Sequence, residues 1–385
     1  MTSTLTAFHG PDIFDGFQRR SGHALLLDGT QVKAVIPEAD IPSHASTTRL
    51  EGGLLAPGFV DLQVNGGGGL LFNQSPTAGS IATITKAHLP FGTTSLLTTL
   101  ITDSKEQVAT AIDAARATIP GHIGLHLEGP HLSVARKGAH DPDLIRPMEE
   151  DDLATLLAAA KALPTLFTTV APESTSPAQV KALVEAGAIV SIGHSDAQPD
   201  TLLPLIEAGA SGTTHLFNAM SQIESRQPGL VGTALDDGRI SASIIADGIH
   251  AAKATLRIAL RAKQGPGKIF LITDAMATIG TDLKSFTLNG RTITRENGRL
   301  LLDDGTLAGA DLDMVSAVRF VHQYLGVTLE EALRMASLYP AQLIKRDSEF
   351  GCLKPGTNAD FIWLDEGLNI NQVWQKGSPA LPLGH

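Results

Sequence analysis

The sequence has few or none of several features that would place it in a particular class of proteins. Its 385 residues include one cysteine, Cys352, which excludes an internal disulfide framework. No run approaches the roughly 18 apolar residues of a membrane-spanning helix, and the first residues lack the basic and apolar regions of a secretory signal. The 29 Lys and Arg against 40 Asp and Glu give a net charge of −11 with no basic tract, which argues against a nucleic-acid partner. We therefore expect a soluble cytoplasmic enzyme that binds neither nucleic acid nor membrane.

The chain does contain a regular alternation of apolar runs and alanine-rich amphipathic stretches. After Pro57 there are eight short apolar runs of the kind that form parallel strands buried on both faces. They are PGFVDLQV, TTSLLTTL, GHIGLHLE, PTLFTTVA, AIVSIGH, GTTHLFN, ISASIIAD and KIFLITD. Stretches with helical periodicity separate most of them, and the irregular link between the sixth and seventh indicates a functional loop with a short helix. Eight strand-helix units predict an α/β fold of the (β/α)8 TIM barrel type, which takes about 250 residues.

The residues in excess of one barrel lie at the two ends of the chain. Residues 1–54 and 346–385 carry short alternating runs punctuated by Gly, Pro and Asp, which are typical of strands and turns. Each segment is too short to bury a core alone, so we expect the two to form one small β-sandwich. The barrel would occupy residues 55–345, with an inserted β-hairpin near 285–309 that is indicated by its N-G and D-G turn dipeptides.

Four acidic or imidazole side chains stand at the ends of predicted barrel strands. Glu128 ends the third run, His194 ends the fifth, His215 lies within the sixth, and Asp274 ends the eighth. Barrels collect their functional groups at the C-terminal ends of the strands, so we expect these four to converge on one pocket. One Glu with two His suits Zn²⁺ with an open position for water, and a carboxylate that is not a ligand can serve as general base. The pattern therefore predicts a metal-dependent hydrolase.

Each of these residues also has a simpler structural interpretation. A Glu is usually a surface or ion-paired carboxylate, and a single His is usually a satisfied core side chain. Asp274 could merely cap the helix predicted to follow it. Two histidines at equivalent strand ends, together with the two carboxylates, favour the functional interpretation. His126 and His131 flank Glu128, and we interpret both as structural or supporting residues rather than as ligands.

Seven segments resemble, in order, the signature stretches of the N-acetylglucosamine-6-phosphate deacetylases, a family of the amidohydrolase superfamily. They are PGFVDLQVNGGGG, HLEGPHLSVARKGAHDP, SIGHSDA, GTTHLFNAMS, ADGIHA, LITDAMATIG and GTLAGADLDM. The C-terminal GCLKPGTNADFIWLD is similar to the stretch by which many amidohydrolases return to their sandwich. The resemblance covers nearly the whole predicted barrel.

The resemblance implies a role for each candidate residue. It implies that Glu128, His194 and His215 bind one divalent metal ion per chain, with Zn²⁺ as the expected ion. Asp274 is then the general acid/base, and His140 helps the metal to stabilise the charge that forms on the acetyl oxygen. The implied substrate contacts are Ala139, His140, Asn218, Ala219, Arg226, Asp247, His250, Leu307, Ala308 and Gly309.

One position departs from the wider superfamily. Many amidohydrolases carry His-x-His at the end of the first barrel strand and bind a second metal ion there, whereas this chain has Gln63 and Asn65. Because amides are poorer Zn²⁺ ligands than imidazoles, we expect a single-metal site, with a weakly bound second ion left open.

The implied reaction is hydrolysis of the N-acetyl group of N-acetylglucosamine 6-phosphate to glucosamine 6-phosphate and acetate, in amino-sugar catabolism or cell-wall recycling. Arg226, His250 and the backbone of Asn218 and Ala219 would meet the phosphate. In the family, the residues at the positions of Arg226 and His250 reach across a dimer interface, so a homodimer is implied. The alternatives are another acetylated amino-sugar phosphate, or a cyclic amide, as the substrate. A non-catalytic sugar-phosphate-binding barrel would predict the loss of a ligand or of the aspartate, and all four residues are present.

Overall fold

The structure is a computed structural model that describes residues 5–381, and these residues divide into two compact units. One unit contains residues 62–87 and 96–313, and the other contains residues 5–61, 88–95 and 314–381. The predicted domain bounds at residues 1 and 385 lie outside the described residues, and those at 54/55 and 345/346 stay predictions.

Eight parallel strands form the sheet on which the candidate site is built, and neighbours in the sheet are consecutive in the chain. They are Phe59–Val64, Thr93–Ile101, His122–Glu128, Leu166–Val170, Ile189–Ile192, Gly212–Thr213, Ser241–Ile245 and Ile269–Ile272. The first and eighth strands are also joined, because the Asp274 N–H donates to the Gln63 carbonyl (3.0 Å) and the Asn65 N–H donates to the Ala275 carbonyl (2.9 Å). The sheet therefore closes into a barrel, as the eight apolar runs predicted.

Each barrel strand is followed in the chain by an α-helix. The helices are Ala78–His88, Lys105–Ala114, Glu150–Ala162, Pro177–Glu185, Pro199–Glu207, Gly229–Asp236, Lys253–Ala262 and Met314–Leu325. Local sequence sets several of their starts. Ser104 Oγ accepts the Gln107 N–H. Ser176 and Gln179 form a capping box on either side of Pro177, which is at the first helical position. Among the described residues, no helix combines the length and apolar character needed to cross a membrane.

The unit formed by residues 5–61, 88–95 and 314–381, which we call the terminal unit, contains two sheets that share one apolar core. The four-stranded sheet consists of Gln31–Pro37, His23–Asp28, Leu5–His9 and Ser46–Arg49; the six-stranded sheet consists of Ser378–Pro379, Ile370–Gln375, Phe361–Leu364, Leu54–Pro57, Asp12–Phe14 and Arg19–Arg20. Phe8 of the first sheet packs edge-on against Phe361 of the second, with ring centroids 5.0 Å apart. The second sheet contains strands from both ends of the chain, so the predicted sandwich is confirmed. This unit also contains the helices Leu329–Ala336 and Leu338–Leu343.

The insertion after the eighth barrel strand is larger than the predicted hairpin. It is a four-stranded antiparallel sheet formed by Ser285–Leu288, Arg291–Glu296, Arg299–Leu301 and Leu307–Ala310. Two of its turns are the N-G dipeptides at Asn289 and Asn297, which both adopt the left-handed backbone conformation. Leu288, Ile293 and Leu300 of the insertion pack in one core cluster with Met276, which follows the eighth strand.

Smaller elements complete the described chain. A two-stranded ladder pairs Gly66–Gly67 with Leu70–Leu71, directly after the first barrel strand. The 3₁₀ turns are Glu38–Asp40, Phe72–Gln74, Leu89–Phe91 and Val134–Arg136.

Candidate active site

Three predicted ligand atoms meet at the C-terminal ends of the barrel strands. The Nε2 atom of His215 lies 2.9 Å from Oε1 of Glu128, and the Nε2 atom of His194 lies 3.3 Å from the same oxygen. The two imidazole Nε2 atoms are 3.0 Å apart. All three side chains are buried. Glu128, His194 and His215 therefore direct one oxygen and two nitrogens at a common point.

The donor set fits a divalent metal ion. Zn²⁺ ligands lie about 2 Å from the ion, so two ligands at the tetrahedral angle are roughly 3.3 Å from each other, close to the separations above. The Nδ1 atom of His194 lies 2.8 Å from the carbonyl oxygen of Arg136. Because a carbonyl can only accept, Nδ1 carries the hydrogen and Nε2 presents its lone pair to the cluster. Two imidazole nitrogens and a carboxylate oxygen this close together need a shared cation or additional protons.

The backbone is strained at three of the four predicted site residues. His194, His215 and Asp274 have φ values of 47°, 36° and 52°, in the left-handed region that residues with a Cβ seldom adopt. Such strain costs on the order of 1–3 kcal/mol per residue and clusters at functional sites, where the surrounding structure holds it in place. The strand ends that carry these side chains are therefore sharp turns that the rest of the barrel must stabilise.

Gln63 and Asn65, at the end of the first barrel strand, bind the carboxylate of Asp274. The Asn65 amide donates to Asp274 Oδ1 at 2.6 Å, and the Gln63 amide donates to the same oxygen at 3.1 Å. Gln63 also donates to Glu128 Oε1 at 3.1 Å. Burial raises the pKa of Asp274 to about 6, and the negative charge of Glu128 adds to this effect. Asp274 is thus a buried base whose pKa lies near neutrality, which suits proton transfer.

His140 lies against the ligand cluster without being part of it. Its Nδ1 is 2.7 Å from the Thr102 hydroxyl, and its Nε2 is 3.6 Å from Oε2 of Glu128. Burial lowers the pKa of His140 to about 4, so the ring is neutral. Burial alone would raise the pKa of Glu128, but its close contacts with the imidazoles of His140, His194 and His215 hold that pKa well below its usual range. An ionised Glu128 of the cluster therefore lies beside a neutral His140.

A cavity of about 490 Å³ opens over this cluster. Most of the residues predicted to form the site line it: Glu128, Ala139, His140, His194, His215, Asn218, Ala219, His250, Asp274, Leu307, Ala308 and Gly309. Gly309 has φ +64°, and a Cβ there would lie 2.5 Å from Cγ of Met276, so this wall of the cavity requires glycine.

Two predicted substrate contacts, Asp247 and Arg226, do not line this cavity. The Asp247 carboxylate binds His250, with Oδ2 lying 2.6 Å from the ring Nδ1 and Oδ1 accepting the His250 N–H at 2.9 Å. His250 lines the cavity of its own chain. Arg226 lies in the exposed segment 222–228 and does not line the cavity of its own chain.

The sequence interpretation did not assign a role to Arg136, which lines the cavity. Its guanidinium Nε donates to Asp196 Oδ1 at 2.7 Å, and its backbone carbonyl accepts the hydrogen bond from His194. Arg136 is inside the HLEGPHLSVARKGAHDP motif. A charged side chain in that motif was the feature of the sequence that could have indicated a role in the site. Apolar lining residues such as Ile245 and Met276 give no comparable signal, because they look like ordinary core positions in the sequence.

Comparison with known proteins is consistent with this geometry. The amidohydrolase family model matches residues 54–381. An N-acetylgalactosamine-6-phosphate deacetylase of Shewanella sp. (strain ANA-3) is 44% identical over 343 residues, covering 88% of this chain and 85% of its own length. An N-acetylglucosamine-6-phosphate deacetylase of Haemophilus influenzae is 35% identical over 374 residues, covering 92% of this chain and 94% of its own.

The likeness extends to solved structures. The crystal structure of N-acetylglucosamine-6-phosphate deacetylase from Pasteurella multocida superposes with a TM-score of 0.93 at 34% identity, covering 97% of this chain and 99% of that one. The resemblance drawn from the sequence motifs is therefore confirmed over nearly the whole described chain. The protein belongs to the amidohydrolase family.

Proposed function

We propose that this protein hydrolyses the N-acetyl group of N-acetylglucosamine 6-phosphate, releasing glucosamine 6-phosphate and acetate in amino-sugar catabolism or cell-wall recycling. The observation that carries the proposal is the juxtaposition, in one cavity, of the Glu128, His194 and His215 ligand set with Asp274. A phosphorylated sugar as substrate is consistent with the cytoplasm, which we propose as the location.

Bound by Glu128, His194 and His215, a divalent metal ion, which we propose to be a single Zn²⁺ per chain, would supply Lewis acidity and lower the pKa of water. Asp274 then moves the proton. Its Oδ1 is held by Gln63 and Asn65, which leaves Oδ2 to accept a proton from the attacking water and to deliver it to the departing amine.

His140 is the proposed donor to the oxygen of the acetyl group as negative charge develops there. For its Nε2 to carry the hydrogen, Nδ1 must accept from the Thr102 hydroxyl, which lies at the short distance of 2.7 Å. A neutral donor held in a buried site strengthens its hydrogen bond as the charge forms, which is how such a group accelerates acyl transfer.

The proposed phosphate end of the cavity is formed by the turn that follows His215. Phe217 and Ala219 have φ values of 79° and 49°, and alternation of left-handed residues turns backbone N–H groups into a concavity that suits an anion. His250, oriented by Asp247, is proposed to contribute a further donor. Because Arg226 does not line the cavity of its own chain, we propose that it completes the phosphate site of a partner in a homodimer.

N-acetylgalactosamine 6-phosphate is the second candidate substrate. It is favoured by the Shewanella relative, whose 44% identity exceeds the 35% of the Haemophilus one. The two sugars differ only in the configuration of one hydroxyl group, so the metal ligands and Asp274 would serve both.

Acetate release on metal-quantified protein tests the function. The panel consists of N-acetylglucosamine and N-acetylgalactosamine, each with and without the 6-phosphate. We expect kcat/KM to be highest for N-acetylglucosamine 6-phosphate, with one tightly bound ion per chain by elemental analysis. A preference for the galactosamine isomer would select the second candidate. No acetate from either phosphate would refute the deacetylase assignment, and two tightly bound ions would refute the single-metal site.

Mixing of subunits tests the shared site. Arg226→Ala and Asp274→Asn homodimers should each turn over the phosphorylated sugar poorly. A dimer that contains one subunit of each variant has one cavity with both Asp274 and the partner's Arg226, so activity should return toward a quarter of the wild-type value after subunit exchange. A monomer in analytical ultracentrifugation, or no recovery in isolated mixed dimers, would contradict the proposal. Unphosphorylated sugar is the control, since Arg226→Ala should barely affect its turnover.

A further inference from the structure

A chain of side-chain hydrogen bonds runs through the interior of the barrel beneath the ligand cluster. Thr99 Oγ1 lies 3.2 Å from His126 Nδ1, and His126 Nε2 lies 2.8 Å from Thr169 Oγ1. The Thr169 hydroxyl is 2.7 Å from that of Thr214, which is 2.7 Å from the hydroxyl of Ser191. Thr99, His126, Thr169 and Ser191 stand on the second to fifth strands, and Thr214 directly follows the sixth, so these hydrogen bonds cross more than half of the barrel.

Every member of this polar chain, as we name these five residues, is buried. Thr99, His126, Thr169 and Ser191 are 0% exposed, and Thr214 is 2% exposed. A buried polar group without a hydrogen-bond partner lowers the stability of the folded protein by about 1–3 kcal/mol. The proposed reaction uses none of these five groups. Both ring nitrogens of His126 have a partner, so loss of one link leaves a buried nitrogen unsatisfied. Such a fully bonded network rigidifies the elements it joins.

The polar chain lies next to the backbone that carries each proposed ligand. His126 precedes Glu128 by two residues on the same face of the third strand, and Thr214 directly precedes His215. Gly193 directly precedes His194, and a Cβ on Gly193 would lie 2.8 Å from Cγ2 of Thr169 and 3.1 Å from Cβ of Thr214. Thr169 and Thr214 therefore pack against the backbone from which His194 turns inward.

We propose that the polar chain positions the metal ligands, with Thr169 as its central link. His194 and His215 adopt strained left-handed conformations, which persist only where the surroundings fix them. Thr169 joins the Glu128 strand, through His126, to the turns that carry His194 and His215. This inference rests on the metal site of the proposed function, and the positioning residues act through the ligands without touching metal or substrate.

The neighbouring residue supplies a matched control. Thr168 stands on the same strand, is equally 0% exposed, and its hydroxyl has no hydrogen-bond partner among the described residues. Thr169→Val and Thr168→Val each remove one buried hydroxyl and keep the shape of the side chain. Only Thr169→Val breaks the polar chain. Thr169→Ser keeps the hydroxyl and should restore the wild-type behaviour.

The readout is Co²⁺ binding to metal-free protein, followed by the visible spectrum of the bound ion, which reports ligand geometry without turnover. Thr169→Val should weaken Co²⁺ binding by about 10–100-fold, as expected for a residue that orients ligands, and should shift the spectrum. Thr168→Val and Thr169→Ser should match the wild type. If Thr169→Val does not fold, as judged by its thermal unfolding, Ser191→Ala at the end of the polar chain should give a smaller change in the same direction.

Two outcomes would overturn the proposal in distinguishable ways. If the wild type binds one Co²⁺ and Thr169→Val binds it with the same affinity and spectrum, the polar chain only fills the core. Equal losses of Co²⁺ affinity in Thr169→Val and Thr168→Val would likewise show that the polar chain has no positioning role. If the wild type fails to bind Co²⁺ at Glu128, His194 and His215, the metal site itself is wrong, and the positioning role falls with it.

Discussion

Replacement of Asp274 by Asn is the most direct test of the division of labour within the site. In the structure, Oδ1 of Asp274 accepts two amide hydrogens, from Asn65 at 2.6 Å and Gln63 at 3.1 Å. The carbonyl oxygen of an Asn side chain can accept the same two hydrogens, so the local structure should survive. The change removes only the second oxygen, which we propose is the base, and replaces it with an NH₂ group that cannot take a proton.

The size of the effect follows from that single loss. General acid–base catalysis contributes about 10²- to 10⁴-fold, so kcat should fall by that factor, equivalent to roughly 3–5 kcal/mol in the barrier. Because Asp274 is not one of the three ligands, the variant should keep its metal ion and bind substrate with near-normal affinity. Elemental analysis, isothermal titration with substrate and single-turnover acetate release would measure the three quantities on the same preparation.

The pH dependence provides a second signature. Asp274 acts as a base only when ionised, so wild-type kcat/KM should fall about tenfold per pH unit below its pKa. Burial raises that pKa to about 6, and a bound cation lowers it, so the decline should begin at or below pH 6. Asp274→Asn should lack this acid limb.

The control is Asp360→Asn, since burial raises the pKa of Asp360 also to about 6, but this residue is in the terminal unit. It should leave kcat unchanged. Turnover of Asp274→Asn within about tenfold of the wild type would show that another group moves the proton. Loss of the metal ion from the variant would show instead that Asp274 is a ligand.

Two further predictions concern single hydrogen bonds and a buried carboxylate. Thr102→Val removes the hydroxyl that fixes the tautomer of His140, so kcat should fall by about 5- to 150-fold, the equivalent of 1–3 kcal/mol, with KM nearly unchanged. Thr175→Val, which removes a buried hydroxyl that has no partner among the described residues, should leave kcat as it is. Asp360 has a raised folded-state pKa, so the native protein binds its proton more tightly than the unfolded chain, and the free energy of unfolding falls as pH rises from about 4 to 6. Asp360→Asn should therefore be more stable than the wild type by roughly 1–3 kcal/mol at pH 7.5 and not at pH 4, in denaturant unfolding. A difference that does not change with pH would show that ionisation of Asp360 is not its cause.

Sequence patterns predicted the barrel because its strands carry a local signal. Parallel strands covered on both faces must be apolar throughout, so all eight appear as short runs that can be recognised without knowledge of their partners. The positions of Glu128, His194, His215 and Asp274 followed from the same signal, because a polar side chain at the end of such a run faces the barrel mouth. The N-G turns of the insertion were equally local, although its third and fourth strands were not recognised.

Contacts between distant parts of the chain were outside the reach of those patterns. That Gln63 and Asn65 bind Asp274 depends on closure of the barrel between residues more than two hundred positions apart. The polar chain from Thr99 to Ser191 likewise depends on the relative register of five strands, since a shift of one residue would turn each hydroxyl to the other face. The sequence shows these residues as ordinary strand positions.

The sequence by itself determined the alternation of strands and helices, the chemistry available at the strand ends and the absence of a disulfide framework, because each of these depends on residue type and near neighbours. Only the tertiary structure decided which side chains form hydrogen bonds with each other and which ligand atoms lie close together. It placed His250 inside the cavity of its own chain, left Arg226 outside that cavity, and imposed left-handed turns at His194, His215 and Asp274. These features are set by the packing of whole strands, which outweighs the local cost of the strained turns and which no short segment of sequence encodes.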